Sequence, residues 1–147
     1  MHRRIVSFKQ TCPLIEFAFE LIHEKSSYFP QVLLIKVIGK YRDGSEGDDD
    51  AKLIKGMMVT GIDLWRPGSV LLDFTELQYE WGDYIDYVFE ASDFNKPIAI
   101  VVGPKCRIAI STLIYGLDSD KDIVDNINFF DNADTAINKL LNTIGNG

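Results

Sequence analysis

From Val32 onward, short continuous apolar runs alternate with segments whose apolar residues recur every three to four positions. No other feature constrains the fold as strongly. Val32–Ile38, Val70–Phe74 and Ile98–Val102 carry almost no polar interruption, the pattern of strands covered on both faces. Between the first two, Leu53, Ile54, Met57, Met58, Gly61, Ile62 and Trp65 share one helical face, and Arg66-Pro67-Gly68 ends the helix. Tyr84, Ile85, Val88 and Phe89 mark a short helix. Ile108, Ala109, Leu113 and Ile114 mark another, closed near Gly116. After a short strand at Ile127–Phe130, Asp131 or Asn132 caps a last helix bearing Ala133, Ala136, Ile137, Leu140 and Leu141. This order predicts an α/β fold: a mixed sheet of about five or six strands, at least partly parallel, covered by helices.

Ahead of this core, Ile15, Phe17, Phe19 and Leu21 alternate with Glu16, Ala18 and Glu20. A period of two predicts a strand, although Leu14, Ala18, Leu21 and Ile22 also share a helical face. The strand is expected to add antiparallel at one sheet edge, with Ser26–Pro30 as a loop leading back into the core. The 147 residues fit one domain, 1–30 as an extension and 31–145 as the core. A chain of this length buries enough surface to need no disulfide or metal for stability.

The chain has 22 acidic and 15 basic side chains, a net charge of -7. A nucleic-acid partner is not expected, because binding phosphates needs a basic footprint and the densest basic cluster is His2-Arg3-Arg4. Cys12 and Cys106 lie too far apart in sequence for a zinc motif and predict buried, reduced thiols, which suits the cytoplasm. Arg3-Arg4 is followed by only Ile5-Val6 before Ser7, so no signal peptide is expected. No apolar run approaches the roughly 20 residues of a membrane helix, so no membrane association is expected.

Three segments carry candidate chemistry. Tyr79, Glu80, Trp81, Asp83 and Tyr84 cluster aromatics and carboxylates where a strand meets a helix, which suits anchors for a protein partner. The competing reading packs Tyr79 and Trp81 over the sheet end and uses Asp83 as a cap. The loop Asp43–Asp50 supplies Asp48, Asp49 and Asp50 as a second contact surface for a basic partner, or as caps for a helix beginning near Ala51. Its spacing is not that of a calcium loop, since residue 54 is Ile where a glutamate is needed. Gly103-Pro-Lys-Cys-Arg107 opens a helix, so Lys105 and Arg107 are candidate anion ligands and Cys106 a conceivable nucleophile. With only His2 and His23 and no catalytic or metal motif, no metal, cofactor or catalytic set is predicted.

The order of elements resembles the STAS domain, the fold of the anti-sigma-factor antagonists. Four segments carry the resemblance: Val32-Leu-Leu-Ile-Lys-Val-Ile-Gly39, Val70-Leu-Leu-Asp-Phe-Thr-Glu-Leu77, Lys96-Pro-Ile-Ala-Ile-Val-Val-Gly103 and Phe129-Phe-Asp-Asn-Ala-Asp-Thr-Ala-Ile137. The family's phosphoacceptor motif, Asp-Ser-Ser-Gly, falls on Trp81-Gly82-Asp83-Tyr84, with Asp83 at the acceptor position or Gly82 if the register slips by one. No hydroxyl stands there. The resemblance therefore implies a protein-binding regulator acting by stoichiometric association, without the phosphorylation switch. Two further expectations stand beside it. One is a bacterial immunity protein of the contact-dependent growth inhibition type that neutralises a basic toxin. The other is a small-ligand or anion-binding enzyme at the 103–107 turn.

Overall fold

The computed structural model describes residues 1–24, 28–90 and 94–145. Among these, six strands form one mixed sheet accompanied by five α-helices. The strands are β1 (Ile15–Ile22), β2 (Val32–Lys40), β3 (Ser69–Phe74), β4 (Leu77–Gln78), β5 (Ile98–Val102) and β6 (Phe129–Phe130). The helices are α1 (Phe8–Thr11), α2 (Gly47–Trp65), α3 (Ile85–Val88), α4 (Arg107–Tyr115) and α5 (Ala133–Gly145), with a 3-10 turn at Ile123–Asp125. The sheet order is β1-β2-β3-β5-β6, and β4 pairs with the end of β2. β1 is antiparallel to β2, and all other pairings are parallel.

Burial on both faces explains the apolar runs, broken only by Lys36 and Asp73. Leu33, Ile35 and Val37 of β2, Val70, Leu72 and Phe74 of β3, and Ile98, Ile100 and Val102 of β5 face a core closed by Ile54 and Met58 of α2, Ile85 of α3 and Ile110 of α4. The intervening Val32, Leu34, Leu71, Ala99 and Val101 face a smaller core closed by Ala136 and Leu140 of α5. A strand with period-two side chains reads as continuously apolar when helices cover both faces. β1 keeps alternation because it lies at the edge: Ile15 is buried and Phe17 and Phe19 pack on the larger core, where Phe19 meets Trp65. The loop expected at Ser26–Pro30 lies partly outside the described residues, at Ser26 and Ser27.

Two expectations at element ends are corrected. α2 begins at Gly47 rather than near Ala51, so Asp48, Asp49 and Asp50 fill its first turn, and no side-chain hydrogen bond caps it. They complement the helix dipole from inside the helix. The strand expected at Ile127–Phe130 is shorter: only Phe129–Phe130 pair with β5, with Asn128 O accepting from Ile100 N at 2.9 Å just ahead of them. Asn132 caps α5, accepting from Thr135 N at 2.9 Å. Among the described residues, no helix is long and apolar enough to cross a membrane.

A bulge at the C-terminal end of β3 sets the path of the chain into β4. Lys36 pairs with Asp73 and Gly39 with Leu77, so β2 advances three residues while the other strand advances four. The extra residue is accommodated at Thr75-Glu76, where the buried Asp73 carboxylate accepts from both Thr75 N and Thr75 Oγ1. The bulge crowds β5: a Cβ on Gly103 would lie 2.1 Å from Thr75 O. It steers the chain away from β5 and along β2, which delivers Tyr79 and the residues after it beside the end of β2.

Candidate functional site

The two loops that leave β2 and β4 are joined to each other. Gly44 and Gly82 form an isolated parallel bridge, and Asp83 N donates to Gly44 O at 2.9 Å. Beneath them, the buried rings of Tyr41 and Tyr79 meet edge to face with centroids 5.3 Å apart. Tyr41 Oη donates to Asp83 O, and Tyr79 Oη donates to Gly82 O at 3.0 Å. Burial, then the carboxylates of Asp86, Asp83 and Asp43, push the Tyr79 phenol up to about 12. Tyr41 is raised further, by burial first and then by Tyr79 and Asp50. Both phenols therefore stay protonated donors at neutral pH. Gly82 has no alternative, since a Cβ there would lie 2.1 Å from Arg42 O and 2.6 Å from the Tyr41 ring.

This seam pushes the rest of the second loop outward. Trp81 is 63% exposed and lies across Gly44, and Tyr84 is 56% exposed. Tyr84 holds a left-handed backbone, φ 71, a conformation that costs a non-glycine residue roughly 1–2 kcal/mol. Its ring meets Tyr87 edge to face at 6.5 Å. Glu80, Asp83, Asp86 and Glu90 are exposed around these rings. Ala109, Thr112 and Leu113 of α4 close the far side of an open groove of about 670 Å³. Among the described residues, none that lines it is basic.

The structure divides the expected partner-binding residues. Glu80, Trp81, Asp83 and Tyr84 line the groove and are exposed, as is Asp49 at the start of α2. Tyr79 lines its inner wall but is only 2% exposed, so it supports the surface from beneath instead of anchoring a partner. Asp50 is not a contact residue: it is fully buried and accepts from Arg42 N at 2.8 Å, Arg42 Nε at 3.2 Å and one terminal guanidinium nitrogen at 3.0 Å. Arg42 also donates to Thr11 O at 2.7 Å and Glu46 at 3.3 Å, so it fastens α1 and α2 to the loop. Asp48 is half-buried. The acidic stretch is therefore a folded helix start, not one solvated surface.

Of the two anion ligands expected at the 103–107 turn, one is engaged within the protein. Arg107 is taken up by Asp122, at 3.0 Å and 2.7 Å, and by Asp131 at 3.5 Å. That guanidinium holds the Asp122 carboxyl below its usual range. Lys105 stays exposed, on a separate cleft with Lys40 and Thr75. Cys106 is 1% exposed, and burial pushes its thiol up to about 11, the opposite of an activated thiolate. Among the described residues, no group of three or more His, Cys, Asp or Glu side chains is placed to hold a metal ion.

Residues that sequence reasoning missed complete the groove: Asp86, Tyr87, Glu90 and the α4 residues Ala109 and Leu113. A signal for the first three was present. Asp83, Asp86 and Glu90 recur at three and four, with Tyr84 and Tyr87 beside them, which places carboxylates and rings on one side of a helical turn. The α4 residues had no such signal, because only the fold brings that helix across from α3. No family model, curated protein or solved structure matches this chain.

Proposed function

We infer that this chain is a non-catalytic protein-binding regulator, acting in the cytoplasm by stoichiometric association with a partner protein. One observation carries the reading: exposed aromatic rings, a carboxylate rim and an apolar wall converge on one open groove, and the fold holds Trp81 and Tyr84 out of its own core to line it. Large exposed rings beside a concavity are the anchors that protein interfaces use. The resemblance to STAS domains supports the same reading, since their work is done by association. In the register of that resemblance the acceptor position falls on Asp83, or on Gly82 one residue earlier, and neither carries a hydroxyl, so the proposed association is independent of phosphorylation. The buried, protonated Cys106 and the paired Arg107 argue against chemistry at the 103–107 turn.

A second reading is favoured by the carboxylate rim, which complements the basic surface of a toxin that acts on nucleic acid: an immunity protein. Affinity capture from the source cells, followed by the mass of the complex in solution, tests both. A one-to-one complex that is lost with Trp81→Ala is expected. Capture indifferent to Trp81→Ala, or no stoichiometric complex, refutes the groove as the binding surface. A sigma-factor or kinase gene beside this one favours the regulator, and a toxin gene immediately upstream favours the immunity protein.

A further inference from the structure

We propose that the groove between α3 and α4 receives an arginine-bearing segment of the partner protein, with the guanidinium stacked on the exposed rings of Trp81 and Tyr84 and paired with Glu80 or Asp83. This rests on the reading of the groove as a protein-binding surface and adds the chemistry of what enters it. Three observations carry it. Four carboxylates, Glu80, Asp83, Asp86 and Glu90, line the groove and no basic residue does among the described residues; of the four, Lys55, behind the wall, offsets Glu90 alone, so the field still favours a cation. The rings supply the electron-rich faces to which cations are drawn, and a planar guanidinium both stacks on such a face and pairs with a carboxylate.

The fold also contains an example of this recognition at the groove's own wall. Lys55 Nζ lies 3.7 Å from the centroid of the Tyr87 ring and 4.0 Å from Glu90 Oε2, and it donates to Tyr87 O at 3.3 Å. Ring, carboxylate and carbonyl together hold a nearly buried ammonium there. Trp81, Tyr84, Glu80 and Asp83 repeat the first two parts on the exposed side. The wall formed by Ala109 and Leu113 is apolar, which favours a segment with aliphatic residues beside the arginine over a free polyamine.

The test uses the full chain carrying Trp65→Phe, which leaves Trp81 as the one indole fluorophore of two. The probe is the peptide acetyl-Gly-Leu-Arg-Arg-Leu-Arg-Gly amide, set against the same peptide with citrulline for arginine. If Trp65→Phe fails to fold, calorimetric titration of the wild type gives the same comparison. Saturable quenching is expected, at least tenfold weaker for the citrulline peptide. A loss of at least tenfold is also expected in the Glu80→Gln/Asp83→Asn/Asp86→Asn protein with its thermal melt retained. Equal affinity for both peptides, or equal saturation by spermidine, overturns the proposal. A wild-type dimer dissolved by Arg3→Ala/Arg4→Ala overturns it in favour of a second copy. If the arginine peptide does not bind while Trp81→Ala still abolishes partner capture, the cationic chemistry falls and the docking surface stands. If capture ignores Trp81→Ala, the docking surface itself falls.

Discussion

Asp50→Asn should be among the most damaging single changes that leave the volume of the core unaltered. The wild-type carboxylate is completely buried and satisfies three donors of Arg42, including its backbone N–H. Asparagine keeps one acceptor oxygen and turns an NH2 toward a guanidinium that also only donates. Removing one partner of a buried ion pair costs about 3–5 kcal/mol, mostly because the other charge stays buried. Arg42 retains Thr11 O and the exposed Glu46, and its side chain is 15% exposed, so the low end, about 3 kcal/mol, applies. A domain of 147 residues unfolds with an entropy of about 0.3 kcal/mol per kelvin, so the melting temperature should fall by about 10 °C. Asp49→Asn, on the exposed side of the same turn, should cost only about 0.3–1 kcal/mol through the helix dipole. Thermal melts followed by circular dichroism at pH 7 measure both. If Asp50→Asn melts within 2 °C of the wild type, the pair does not hold the loop as argued.

Gly82→Ala should cost about 3 kcal/mol, because the new methyl meets Arg42 O and the Tyr41 ring in a seam with no slack. Gly56→Ala in α2, where nothing lies within 4 Å, should instead stabilise by about 0.5–1 kcal/mol. Urea unfolding of the two variants side by side checks the opposite signs. Tyr84→Gly should be more stable than Tyr84→Ala by about 0.5–1 kcal/mol, since glycine relieves the left-handed backbone at some entropic cost. Both should lose partner binding alike, and equal melting temperatures would show that the backbone there is unstrained. The fold keeps Cys12 and Cys106 protonated up to about 11, through burial first in each case. An unfolded thiol ionises near pH 8.5, so this contribution is complete below that pH and drains away as pH rises toward about 11. Urea midpoints at pH 7, 9 and 10.5 should fall progressively, and Cys106→Ala should flatten the fall.

Most of the strand and helix order between residues 15 and 145 was legible because periodicity is a local record of what each face touches; the two-residue β4 was not, and the segment at Ile15–Leu21 fitted a helical face as well as a strand. Val32–Ile38 could read as apolar at every position but Lys36 only if both faces were covered, which implied parallel strands between helices. The cluster from Tyr79 to Tyr84 was visible for the same reason, as aromatics where a buried strand has just ended. Which of its rings faces solvent was not visible. Tyr79 and Trp81 differ by two positions and look alike in sequence, yet the chain leaves the sheet after Gln78 and is tied to Gly44 at Gly82, so Tyr79 packs on Tyr41 while Trp81 is left exposed. Asp49 and Asp50 are neighbours of identical chemistry, yet Asp50 is buried against Arg42 and Cys12 while Asp49 faces solvent. Arg107 likewise read as a free cation until the fold brought Asp122 to it. The sequence alone determined most of the elements, the layers and the neighbourhood of the candidate site, because hydrophobic burial acts through short-range patterns; the short α1 and β4 left no such pattern. The tertiary structure alone decided which charges are spent inside the protein and which remain for a partner, because pairing and desolvation depend on residues far apart in the chain.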